Sequence, residues 1–224
     1  MKFLILLFLA HSAQAGFSEE INLGEWKPVI ETGEVKTYQN RQQDQGVVAF
    51  RGVTVIPASL IKIATVINSE QLRKEWVDGL LESTLIERIS QEVRIDYNHT
   101  HVPWPFQDRD FVFQSKVSVQ KEPRTLLLEI QSIPDTRVPV KNGKIRGEVI
   151  QAYYFLKEIE KYQQTQVTVQ MAIDPKGAIP LWLMNAVQQN WPKRTLLKLK
   201  KISLRPEIQN LKEIEDYFKQ KDAA

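Results

Sequence analysis

The sequence predicts an α+β domain in which a curved antiparallel sheet wraps a late helix. Three observations predict it. From Leu85 to about Ile173 the chain is mostly strand-like, with turn signals at Pro103-Trp104-Pro105, Glu122-Pro123, Ile133-Pro134-Asp135, Lys141-Asn142-Gly143 and Glu160 to Gln164. Two short helical patterns precede this meander. One long helical pattern, from Pro180 to about Ser203, follows it. Strands and helices that segregate in this way argue for a sheet covered on one face.

The elements follow in order. Lys2, the apolar run Phe3 to Ala10 and Ala13-Gln14-Ala15 have the three parts of a secretory signal peptide, cut before Gly16. The run is too short to span a bilayer, which needs ~20 residues. The mature chain is therefore expected to be exported, with a bacterial periplasm as the expected compartment. Gly16 to Gly24 is polar and reads as a short helix or arm. Trp26 to Tyr38 reads as strand, turn, strand around Gly33, and Val47 to Ile56 as a β-branched strand. Pro57 then opens a helical stretch with Ile61, Ala64, Thr65 and Asn68 at helical spacing, and Ser69 caps a second short helix over Glu70 to Trp76. After the meander, Asp174-Pro175-Lys176-Gly177 is a strong turn. Pro192, inside the long helix, should kink or split it. Arg205-Pro206 breaks the chain again, and Ile208, Leu211, Ile214 and Phe218 give a narrow last helical stripe. The expected division is a signal peptide over 1–15, one domain over 16–204 and a helical tail over 205–224.

Composition narrows the function classes. The chain has 224 residues, 42% apolar and 25% charged, which is an ordinary globular composition. A domain of this length buries roughly 70% of its unfolded surface, enough for a large core or an enclosed cavity. Net charge is +3, too small an excess to argue for nucleic acid. Cysteine is absent, which excludes disulfides, thiolate nucleophiles, thiolate metal sites and a lipoprotein anchor after the cleavage site. No G-x-S-x-G, phosphate-cradling glycine loop or H-E-x-x-H is present, so a non-enzymatic role without cofactor is expected.

The informative stretch is Pro105 to Gln120. Arg109, Phe111, Phe113, Ser115, Val117 and Val119 share one strand face, and that face reads as the inner one. A buried guanidinium must meet an anion, a carbonyl cluster or cavity water, or form a salt bridge at the sheet's end. On the preceding strand, Val93, Ile95, Tyr97, His99 and His101 share a face, opposite Arg94, Asp96, Asn98 and Thr100. The apolar set is expected to point inward. The two histidines then read as a polar cavity lining, since a zinc site wants three or four ligands. Lys193, Arg194, Lys198, Lys200, Lys201 and Arg205 interleave with Leu196, Leu197, Leu199 and Ile202. This basic amphipathic stretch could either touch anionic lipid or be a solvated face.

Pro105-Phe106-Gln107-Asp108-Arg109-Asp110-Phe111-Val112 resembles the P-x-x-x-RDFV signature of START domains, the lipid-transfer-related family. Pro139 through Arg146-Gly147 resembles that family's P-x-x-g-x-I-R-g segment. Asp174-Pro175-Lys176-Gly177 with Ile179-Pro180-x-Trp182-x-x-Asn185 resembles its D-P-x-G-x-I-P-x-x-x-x-N signature. Trp26 and Tyr38 stand where the family has its leading W and Y, and Trp182 with Asn190-Trp191-Pro192 is similar to the phosphatidylcholine-transfer branch. The resemblance implies a helix-grip fold, a U-shaped sheet holding the C-terminal helix around a tunnel for one lipid. It implies no catalytic residues. It implies that Arg109 is the tunnel arginine, which in that branch meets the head group. The inward acid that the family often has on the preceding strand aligns with His99, with Asp96 the nearest alternative. The expected cavity lining is Arg109, His99, His101, Tyr97, Phe111, Phe113, Tyr154, Met171, Trp182 and Asn185. The expected partners are a lipid ligand and, transiently, a membrane surface, with no nucleic acid and a monomeric chain. A helix-grip enzyme, a cyclase or hydrolase using His99 or His101 as base, and a protein-interaction module with a filled core are the other readings of the same scaffold.

Overall fold

The computed structural model describes residues 25–41, 48–121, 123–161 and 163–223. The signal-peptide reading over 1–15 and the arm to Gly24 lie outside them. Strands β1 (Lys27–Ile30) and β2 (Val35–Arg41) flank a turn in which Gly33 takes φ +91°. β3 (Val48–Ile56) pairs with β2. Helix α1 (Leu60–Asn68) begins three residues beyond the expected Pro57, because the Ser59 hydroxyl accepts from the Lys62 N–H at 3.2 Å and fixes the start. Ser69 caps α2 (Glu70–Trp76), accepting from the Leu72 N–H.

The meander supplies β4 (Leu80–Arg88), β5 (Val93–Thr100), β6 (Asp108–Gln120), β7 (Thr125–Ser132), β8 (Lys144–Arg146), β9 (Glu148–Glu160) and β10 (Gln164–Asp174). One sheet runs β1-β2-β3-β10-β9-β7-β6-β5-β4, with β8 off this path and parallel to the start of β6. The other pairings are antiparallel. β7 joins β6 only from Phe113 onward, so residues 133–143 cross the sheet's outer face before β8 picks up Asp108 to Asp110.

Helix α3 (Leu181–Ser203) closes the concave face. It runs through Pro192 as one helix rather than two. It sits close to β3 because Gly52 leaves room: a Cβ there would lie 2.8 Å from Pro192 Cβ and 2.9 Å from Leu196 Cδ1. Leu196, Leu199 and Ile202 are buried in one cluster with Ile56, Ile63, Val66, Leu156, Val167 and Val169. Each such side chain contributes ~1.5–3 kcal/mol. Helix α4 (Lys212–Ala223) belongs to the same cluster through Tyr217 and Phe218, and the Arg124 guanidinium lies 4.9 Å over the Phe218 ring. The last helical stripe is therefore a packed face of the body.

Candidate functional site

A cavity of about 230 Å³ lies between the concave face, α2 and α3. Its wall is largely apolar, with Phe50, Ile67, Phe111, Phe113, Ile130, Val149, Met171 and Ile173 from the strands and α1. Trp76 from α2 meets Tyr154 edge-on at 5.7 Å between ring centres. Burial pushes the Tyr154 phenol up, against the nearby Arg73 charge, so it stays neutral.

One end of the cavity is where β5 and β10 stop and β6 starts. Arg109 sits there, 2% exposed. Its Nε donates to the Pro175 carbonyl at 3.1 Å and its Nη2 to the Lys176 carbonyl at 3.0 Å; Nη1 donates to the Gln107 carbonyl. Of the alternatives for a buried guanidinium, this is the carbonyl cluster. Burial pushes its pKa down, with Asp108 opposing. Gly177, at φ +70°, holds the turn, and a Cβ there would lie 2.9 Å from Ile145 Cδ1 and 3.4 Å from Arg109 Nη2. Arg109 lines the cavity, yet its donors secure the turn that leads into α3.

The facing of β5 is the reverse of the sequence expectation. Asp96 pairs with Phe113, Asn98 with Phe111 and Thr100 with Arg109, and paired residues share a face. The inner set is therefore Arg94, Asp96, Asn98 and Thr100. Ile95 and Tyr97 are buried on the other face with Val112, under Ile86, Ile133 and Val138. That second small core beneath residues 133–143 explains the misleading apolar pattern. Tyr97 thus leaves the expected cavity set. His99 leaves it too: its Nε2 lies 2.8 Å from Asp108 Oδ2. His101 lines the cavity, with Nδ1 3.2 Å from Asp108 Oδ1 and a side chain 58% exposed. Burial raises the Asp108 carboxyl, but the Val102 N–H and His99 outweigh it and hold it below the usual range. Phe111, Phe113, Tyr154 and Met171 line the wall. Trp182 and Asn185 lie on the first half of α3, whose side chains are outside those described.

Deeper in, about 13 Å along β5 from Thr100, stands a cluster that the sequence reading missed. Asp96 is fully buried between two arginines, Arg73 Nη1 at 2.9 Å and Arg94 Nε at 2.8 Å. Arg73 Nη1 also donates to the Ser83 hydroxyl at 2.8 Å. Burial raises the Asp96 carboxyl, against Arg73 and Ser115. Asp96, not His99, is the inward acid. Three cavity-lining residues around it carry a buried polar atom with no protein partner: Arg73 Nη2, Trp76 Nε1 and Asn98 Oδ1. A signal was present, since Arg73 and Trp76 are three apart on one short helix and share its face.

The basic stretch of α3 is largely paired. Arg194 and Lys198 reach Asp78 at 3.5 and 2.6 Å, Lys200 reaches Glu34 at 3.0 Å and Arg205 reaches Glu75 at 2.7 Å. It serves to fasten α3 to α2 and the sheet. Among the described residues no helix is long and apolar enough to cross a membrane, and no group of three or more His, Cys, Asp or Glu is placed to hold a metal ion.

Comparison with known proteins agrees with this geometry. An uncharacterized protein of Pseudomonas aeruginosa is 27% identical over 176 residues, which is 79% of this chain and 85% of that protein. Phosphatidylcholine transfer protein of Mus musculus is 24% identical over 169 residues, 74% of this chain and 78% of its own. The structure of human StAR-related lipid transfer protein 5 superposes with a TM-score of 0.74 at 16% identity, over 88% of this chain and 90% of that one. The sequence signature of the START domain matches residues 18–192, so the chain, with its curved sheet closed by a late helix over an apolar cavity, belongs to the START domain family.

Proposed function

We propose that this protein is an exported, non-enzymatic carrier that holds one lipid, a phospholipid or sterol-like molecule, in the cavity of each monomer. The observation that carries the reading is the largely apolar cavity with the buried Arg73–Asp96–Arg94 cluster at its deep end. Apolar chains gain ~0.8 kcal/mol per methylene against water, but almost nothing against a bilayer, which is equally dry. The chains therefore keep a lipid in the carrier, and the polar cluster selects it. The mouse relative's name, which specifies phosphatidylcholine transfer, supports the lipid class.

Loading requires movement. The cavity of about 230 Å³ is below the ~300–1,000 Å³ of ordinary small-molecule sites. A two-chain lipid enters only if the first half of α3 swings away from the sheet. Trp104, 90% exposed in the loop after β5, stands at the end where Arg109, His101 and Pro175 line the cavity. An exposed indole suits the head-group layer of a membrane. The signal-peptide pattern over 1–15 supports export to the periplasm.

The test is transfer of a fluorescent phospholipid between donor and acceptor vesicles. The rate should rise in proportion to protein and fall several-fold in Trp104→Ala with the unfolding temperature unchanged. Absence of both transfer and lipid uptake would overturn the reading.

A further inference from the structure

The arginines and the carboxylate that line the cavity are spent on the protein itself. Arg73 and Arg94 hold Asp96, Arg109 holds the turn into α3, and Asp78 holds Lys198. Tyr154 is different. It lines the cavity from β9, between Leu128 on β7 and Val169 on β10, whose side chains offer a hydroxyl nothing. A buried tyrosine ordinarily finds a partner for its O–H. Among the described residues the Tyr154 hydroxyl has none, and it is not one of the buried polar atoms closed off from water. The residue as a whole is 5% exposed, so the opening that its hydroxyl keeps is the cavity.

The surroundings say what this hydroxyl does. Burial pushes the phenol up, so it is neutral, and Arg73 is the charge that it feels. A cation attracts the phenol oxygen and turns the O–H away from itself. Trp76 meets the ring edge-on and fixes its plane. The hydroxyl is therefore a held donor that lacks an acceptor. A plain hydrocarbon offers no acceptor, and a carbonyl or hydroxyl oxygen does.

We infer that Tyr154 is a specificity-determining residue of the cavity: its hydroxyl donates to an uncharged oxygen of the ligand, an ester carbonyl or a hydroxyl. The cavity then prefers lipids with such an oxygen over matched lipids without it. The inference rests on the carrier reading and adds to the charged cluster a second point of selection. One net hydrogen bond corresponds to about fivefold in uptake.

The experiment is competition within matched pairs. Wild type and Tyr154→Phe are incubated with vesicles that hold dioleoyl phosphatidylcholine with its diether analogue, and cholesterol with 5-cholestene, which lacks the hydroxyl. The protein is re-isolated and extracted, and its lipids are quantified by mass spectrometry. In wild type the oxygen-bearing member of a pair should be enriched about fivefold, and in Tyr154→Phe the two members should be nearly equal. The pair that behaves so identifies the oxygen as ester carbonyl or hydroxyl. Equal uptake within both pairs by wild type, or a preference that survives in Tyr154→Phe, would overturn the inference and leave the carrier reading intact. No uptake of any probe would overturn the carrier reading itself. Thermal unfolding of the lipid-free proteins is the second readout. The substitution should leave the midpoint unchanged or higher, because the hydroxyl holds nothing in the fold. A fall of several degrees, or a variant that does not fold, would give the hydroxyl a structural role and overturn the inference.

Discussion

Arg109→Met separates two roles for one arginine. Methionine keeps much of the apolar stem and removes the three hydrogen bonds to the carbonyls of Gln107, Pro175 and Lys176. A hydrogen bond from a charged donor contributes ~1.5–3 kcal/mol. The freed turn carbonyls regain water, so the net loss is smaller than the sum, about 3–5 kcal/mol. In a domain of this size that lowers the unfolding temperature by roughly 6–20 °C. Urea unfolding followed by circular dichroism gives the free energy, and mass spectrometry of extracted lipid gives the cargo. The expected outcome is a strongly destabilised protein whose lipid keeps the same head group, because the Arg109 donors are taken up by the carbonyls of the turn. A variant within about 0.5 kcal/mol of wild type that loses its head-group preference would refute the assignment. It would make Arg109 a ligand residue after all.

Three further outcomes follow from the packing and the charges. Gly52→Ala places a methyl group within 2.9 Å of Pro192 and Leu196 and should cost about 1–3 kcal/mol in urea unfolding; a neutral result would mean that α3 does not rest on β3 at that point. Phe218→Ala, at a side chain 1% exposed, should cost about 3–5 kcal/mol, whereas a detachable tail would lose almost nothing. The folded-state pKa of Asp108 is depressed, so its contribution is full above the unfolded carboxylate value of ~3.9 and is lost as pH falls through the folded value. The thermal-stability gap between wild type and Asp108→Asn should accordingly close between pH ~5 and ~2, and a gap that stays constant through that range would rule the linkage out.

Most of the fold was legible because local signals and global architecture agree. Ser69 capped the helix it was expected to cap, Gly33 made its turn, and the Asp174-Pro175-Lys176-Gly177 turn preceded the long helix. The site was only half legible. Alternation identified two faces of β5 but could not say which was inner, because residues 133–143 cover Ile95 and Tyr97 and make the outer face apolar as well. Pairing with β6 settles it, and pairing is a long-range fact. Arg109 was found because it breaks an apolar face. Arg73 was missed because Arg73-Lys74-Glu75 reads as a solvated turn of a short helix, although it shares a face with Trp76. The basic residues from 193 to 205 could be read either as a membrane patch or as a solvated face because Asp78, Glu34 and Glu75, which pair with four of them, are distant in sequence.

Native mass spectrometry of the protein purified from its own host, followed by solvent extraction, tests the central claim most directly. The account predicts one phospholipid or sterol-like molecule per chain, co-purifying with the wild type and largely lost from Arg73→Met. An empty wild-type chain that also takes up no lipid from vesicles would contradict it.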